Sequence, residues 1–177
     1  MNPARQQNGL IVANFDASHT PQGSCVGFIV YLETGKVERI SERVDGMSSS
    51  NEAEFKAAIL ALEFIAKNCV RHGDTSVLLS GDNESVIEML QGVGKARGHL
   101  LPYFQLARKL AAPFKAVTYS HISRRSNRAA DFLSRQMGRT REEWEKDPRR
   151  RKKRRRRPRK QILREIREFG TEGDLRL

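Results

Sequence analysis

Leu10-Ile11-Val12-Ala13-Asn14-Phe15-Asp16 is an apolar run that finishes on a charge, and it decides the fold. A strand buried on both faces reads as a near-continuous hydrophobic run. Ending it on a carboxylate leaves a charge that needs a partner. A second run, Val77-Leu78-Leu79-Ser80-Gly81, leads in the same way into Asp82. Between the two lies an alanine- and leucine-rich segment in which Glu54 shares a helical row with Ala58, Ala61 and Ile65. Asp131 falls in the first turns of a final helix. Carboxylates that converge from separate elements repel one another unless cations neutralise them, so the set points to a metal site built from oxygen ligands.

Outward from the first strand, residues 9–16, a polar turn holding Pro21 and Gly23 leads to a second strand over Cys25–Glu33. Thr34-Gly35-Lys36 supplies a hairpin turn. Val37–Val44 mixes polar and apolar residues on both faces, which suits an edge strand. A helix follows from Ser50 or Asn51 to about Asn68, with serines 48–50 offering caps. Then come a strand at Thr75–Ser80, a short helix at Glu84–Leu90, and a loop over 91–98 holding Gly92, Gly94 and Gly98. A helix from Leu100 to about Ala112, a strand at Ala116–Ile122 and a helix over Asn127–Met137 complete the series. The order βββαβααβα predicts an α/β domain with a five-stranded mixed sheet flanked by helices, its first, fourth and fifth strands parallel. Ligands gather at the carboxyl ends of parallel strands, where Asp16 and Asp82 stand.

Simpler roles compete for some of these residues. Asp82 and Asp131 each lie near a helix start, where an aspartate can cap. A first-turn glutamate normally faces solvent, so Glu54 on the apolar row has the weakest structural excuse. Glu52 points about 200° away from Glu54 on a helix and reads as a solvated charge. His19, His72 and His99 have no partner spacing and read as surface or loop residues.

The chain carries 33 Lys and Arg against 21 Asp and Glu, a formal charge of +12. Eleven of the twelve residues Arg149–Lys160 are Lys or Arg, so the basicity belongs to a tail and the body is nearly neutral. That run cannot build a core, because its charges repel and nothing apolar offsets the cost of ordering them. Beyond it, Ile162, Ile166 and Phe169 fall at amphipathic helical spacing. Cys25 and Cys69 lack metal-ligand spacing and read as reduced thiols. Residues 1–8 offer no apolar stretch for a secretory signal, and no window reaches the length of a membrane span. A soluble, cytoplasmic protein with no membrane partner is expected, or a nuclear one if the basic run is a targeting signal.

Four motifs in order carry a resemblance: Phe15-Asp16-Ala17-Ser18, Asn51-Glu52-Ala53-Glu54, Gly81-Asp82-Asn83, and Arg124-Arg125-Ser126-Asn127-Arg128-Ala129-Ala130-Asp131. Over roughly residues 9–138 the chain resembles type 1 ribonuclease H. The resemblance implies a ribonuclease H-like catalytic domain at 9–138, between an N-terminal arm at 1–8 and a basic extension at 139–177. It also implies hydrolysis of the RNA strand of RNA–DNA hybrids with two Mg²⁺ ions, or Mn²⁺, giving 5′-phosphate and 3′-hydroxyl ends. Asp16, Glu54, Asp82 and Asp131 would be the metal ligands, with Asp16 bridging the ions. His121, ten residues before Asp131, matches the spacing of a flexible-loop histidine that assists departure of the leaving group or product. Asn51 matches an asparagine that contacts the hybrid in its minor groove, and Ser18, Arg124 and Asn127 join it as substrate contacts.

Two departures stand out. The loop around Arg124–Asp131 looks more like a branch that often lacks the histidine, and the glycine loop 91–98 holds only Lys95 and Arg97 where some relatives carry a basic substrate handle. The tail, including Arg154, Arg155, Arg156 and Arg157, would take over that work by binding nucleic-acid backbone. A monomer without an obligate protein partner is expected. The competing readings are a non-catalytic nucleic-acid-binding module of the same fold, which loss of a carboxylate would have favoured, and a nuclease of the same fold acting on another duplex.

Overall fold

A computed structural model describes residues 9–69 and 72–136. The first three strands, β1 (Leu10–Thr20), β2 (Gly23–Tyr31) and β3 (Val37–Val44), form an antiparallel meander. Helix α1 (Ser50–Asn68) crosses to β4 (Ser76–Gly81), which lies parallel to β1. Helices α2 (Glu84–Gln91) and α3 (Leu101–Ala111) lead to β5 (Ala116–His121), parallel to β4, and α4 (Arg128–Ser134) follows. The sheet order is β3-β2-β1-β4-β5, so β1 is central. The expected order of elements and the mixed sheet are both present. The arm, the basic extension and its four named arginines lie outside the described residues.

The two faces of the sheet do different work. Ile11, Ala13 and Phe15 of β1 and Val26, Phe28 and Val30 of β2 pack with Phe55, Ile59, Leu62 and Ile65 of α1 in the main core. Apart from Ala13, each such side chain contributes about 1.5–3 kcal/mol on burial. Asp16 stands opposite Gly27 in the β1–β2 ladder, on the other face. Helix α4 covers that face: a Cβ at Gly27 would collide with the backbone of Ser134 and Leu133. The carbonyl of Leu133 accepts from Ser41 Oγ at 2.8 Å, which fastens α4 down onto β3.

Strand β1 departs from expectation in a way that builds the site. It does not end at Asp16 but runs on to Thr20, because β2 keeps supplying ladder partners as far as Thr20↔Gly23. Its pairing with β4 stops at Asn14↔Ser80, so one edge of β1 is open alongside Asp16. Phe15 crosses over the end of β4, where a Cβ on Gly81 would lie 2.7 Å from its ring.

Two helix starts also differ. Ser49 caps α1, its side chain accepting from Glu52 N–H. Glu52 is not solvated: it is 4% exposed, and its carboxylate accepts from the Ser48 N–H. This is the reciprocal bonding of a capping box shifted by one residue, and it satisfies N–H groups that the helix cannot. Asn83, not Asp82, caps α2, accepting from Val86 N–H at 3.2 Å. Asp82 is thereby free of the capping role.

Candidate metal centre

Asp16, Glu54 and Asp82 each offer a carboxylate oxygen within 4.8 Å of the others. They arrive from β1, from the first turns of α1 and from the residue after β4. Asp16 and Glu54 are buried, at 4% and 7% exposure, and Asp82 is half-buried. Burial pushes the Asp16 carboxyl up to about 7, the Asp82 and Asp131 charges add to this, and a hydrogen bond from Ser134 opposes it. Burial likewise pushes Glu54 up to about 9, assisted by Asp16 and Asp82. The Ala17 backbone and the Arg124 guanidinium pull Glu54 the other way.

Glu54 Oε2 is buried and has no hydrogen-bond partner among the described residues. Leaving such an oxygen unmet costs about 1–3 kcal/mol or more. A proton or a cation relieves that cost, and an all-oxygen donor set suits a hard divalent ion. The three residues therefore fit a divalent metal.

Asp131 stands outside this tight group. Its side chain is 20% exposed, and its Oδ1 accepts from Arg124 Nη2 at 3.0 Å and from Arg135 Nη2 at 2.7 Å. Hydrogen bonding to Asp131 raises the Arg124 pKa, and the charges of Asp131, Asp82 and Asp16 add to the effect. The fourth acid thus meets the triad through its field and comes with its own two cations.

Asn127 needs a correction as a substrate contact, because it is 0% exposed. Its Nδ2 donates to the Phe15 carbonyl at 2.8 Å and to Asp82 Oδ1 at 3.3 Å. It closes the edge of β1 that β4 leaves open and steadies Asp82 at the same time. His121 is not on a loop: it is the last residue of β5, in register with Gly81, and it is exposed. Arg124 is exposed beside the triad. Ser18 lies two residues along β1 from Asp16 on the same face, opposite Cys25 and half-buried. Asn51 is half-buried in the first turn of α1, its Oδ1 accepting from Asn83 Nδ2 at 3.0 Å.

Three contributors escaped the reading of the sequence: Asn83, Ser134 and Arg135. Ser134 donates to Asp16 Oδ2. Helical spacing carried a signal for two of them, since residues three and four after Asp131 share its side of α4.

A family model described as reverse transcriptase-like matches residues 14–137. The chain belongs to this ribonuclease H-like family. Among solved structures, the ribonuclease H1 of Halobacterium salinarum superposes with a TM-score of 0.65 at 26% identity, covering 73% of this chain and 97% of that one. The N-terminal ribonuclease H domain of a Mycobacterium tuberculosis protein gives 0.62 at 22% identity, covering 70% and 95%. A compost-derived ribonuclease H1, solved in complex with an RNA/DNA hybrid, gives 0.62 at 24%, covering 70% and 92%. These last two speak for the ribonuclease H fold alone. A search of curated proteins found no match.

Proposed function

We propose that this ribonuclease H-like chain is a divalent-metal-dependent endonuclease that cleaves the RNA strand of RNA–DNA hybrids, leaving 5′-phosphate and 3′-hydroxyl ends. The observation that carries the reading is the convergence of Asp16, Glu54 and Asp82 within 4.8 Å, together with the orphaned Glu54 Oε2. The family match and the halobacterial ribonuclease H1 support the choice of chemistry.

Asp16, Glu54 and Asp82 would hold Mg²⁺ or Mn²⁺, and Asp131 would complete the ligation of a second ion. A bound divalent cation supplies Lewis acidity toward a phosphoryl oxygen and a water acidic enough to become a nucleophile. The chain supplies the rest. Asn51, hydrogen-bonded to Asn83, would contact the shallow minor groove of the hybrid. RNA would be told from DNA by its 2′-hydroxyl, which can both donate and accept. Contacts to phosphate and sugar carry no base information, so no sequence preference is expected. His121, exposed at the end of β5, would exchange a proton with the departing group. Residues 139–177 would act as a separate backbone-binding extension, with Arg154–Arg157 at its most basic part.

The test is cleavage of an end-labelled RNA–DNA hybrid beside matched RNA and DNA duplexes, with Mg²⁺ and with chelator. The expected result is metal-dependent cutting of the hybrid's RNA strand alone, abolished in Asp16→Asn. Binding without cutting in Mg²⁺ or Mn²⁺ would make the chain a binding module, and cutting of another duplex would move it to a different branch of the fold.

A further inference from the structure

The last turn of α4 lies against β2 at Gly27, a strand position with no side chain. A Cβ on Gly27 would drive into the backbone of Ser134 and Leu133. Two further contacts hold the turn there: Ser41 Oγ donates to the Leu133 carbonyl at 2.8 Å, and Cys25 Sγ donates to it at 3.9 Å. Gly27 is the ladder partner of Asp16, so the close approach delivers Ser134 beside that carboxylate. The serine is fully buried. Its hydroxyl reaches two acceptors, Asp16 Oδ2 and the Asp131 carbonyl, the latter at 3.0 Å.

A hydroxyl has one proton to give. An ionised Asp16 claims it more strongly than a peptide carbonyl does, because hydrogen bonds to charged acceptors are roughly twice as strong. With Oδ2 held by the Ser134 hydroxyl, the Asp16 carboxylate keeps one orientation relative to Glu54 and Asp82, the other members of the cluster. A carboxylate held in this way resists rotation within the cluster.

We propose that Ser134 is a positioning residue for Asp16: the glycine gap at Gly27 admits α4 so that the Ser134 hydroxyl fixes the carboxylate in the orientation that serves a divalent cation. The inference rests on the metal-centre reading above. Oriented ligands raise metal affinity, and loss of an outer hydrogen bond to a ligand typically weakens it by about 10–100-fold.

The experiment titrates the full chain with MgCl₂ and MnCl₂ by calorimetry, without nucleic acid, and adds hybrid-cleavage kinetics. Ser134→Ala is expected to bind both ions about tenfold more weakly and to lose kcat while KM for the hybrid stays put. Its far-UV circular dichroism should match that of the parent. Ser134→Thr, which keeps the hydroxyl, should recover most of the affinity. Unchanged metal affinity in Ser134→Ala overturns the assignment, and so does a weakening that Ser134→Thr shares in full, since packing rather than the hydroxyl would then be responsible. Failure of the parent protein to bind either ion overturns the metal-centre reading itself, a result distinct from either of these.

Discussion

At the scale of single residues, the buried acids set the pH response of the metal-free protein. Asp16 rises from 3.8 to about 7 on folding, and Glu54 from 4.5 to about 9. The folded state therefore holds protons that the unfolded chain has released, and the stability slope has the sign of that difference. The contribution is fully present below the unfolded values and is lost as pH climbs through about 7 for Asp16 and about 9 for Glu54. In EDTA, the melting temperature should fall from about pH 5 to about pH 9. Saturating Mg²⁺ should offset part of that fall, because a ligand at 100 times its Kd adds about 2.7 kcal/mol. A flat pH series in EDTA would contradict the buried-acid account. Glu54→Gln keeps the shape and removes the charge: the alkaline part of the slope should vanish, and Mg²⁺ should stabilise the variant less than it does the parent.

Among elements, the junction of β1, β4 and α4 is the most exacting. The Phe15 carbonyl lies beyond the last β4 partner and accepts from the side chain of Asn127 at 2.8 Å. Asn127→Ala should cost about 1–3 kcal/mol in urea unfolding, the penalty for a buried group left unsatisfied. It should also impair cleavage, because Asp82 loses a donor. Gly27→Ala should cost about 1–3 kcal/mol as an overpacked contact between strand and helix.

The legibility of these features followed their chemistry. Asp16, Glu54 and Asp82 were readable because each breaks an apolar pattern, and the element order was readable because the strands and helices differ in period. The end of β1 was misplaced because the polar residues 18–20 look like a turn, while the pairing that keeps them extended comes from β2. Glu52 was misread because a wheel angle ignores a first-turn side chain bending back to bond the N–H groups before it, although Ser49 three residues earlier was a usable sign. Asn127 and Ser134 owe their roles to full burial, which an asparagine in a loop and a serine in a helix do not advertise.

For the whole molecule, the net charge is divided unevenly, with eleven cations packed into Arg149–Lys160 and the rest of the chain nearly neutral. If that run neutralises phosphates, the logarithm of affinity for a hybrid should fall against the logarithm of salt with about 0.9 for each phosphate engaged. Deleting residues 139–177 should flatten the slope and raise KM while sparing kcat, as read from binding and cleavage between low and moderate salt. A slope unchanged by the deletion would remove nucleic-acid binding from the tail. Among the described residues, no helix is long and apolar enough to cross a membrane.

The central place of β1 carries a further consequence for how the centre comes apart. Strand β1 is bonded on both sides through Asn14, whereas α4 is a seven-residue helix held to the sheet by a few side-chain hydrogen bonds. Proteins open in cooperative pieces, and short peripheral elements open at lower free energy than central strands. In native-state hydrogen exchange, the amides of α4 should therefore exchange ahead of those of β1. Each such opening would withdraw Asp131 and Ser134 together, while Asp16 and Asp82 stayed on the closed sheet. The carboxylate centre would then be a half-permanent, half-recruitable structure, its triad surviving excursions that switch its fourth member off.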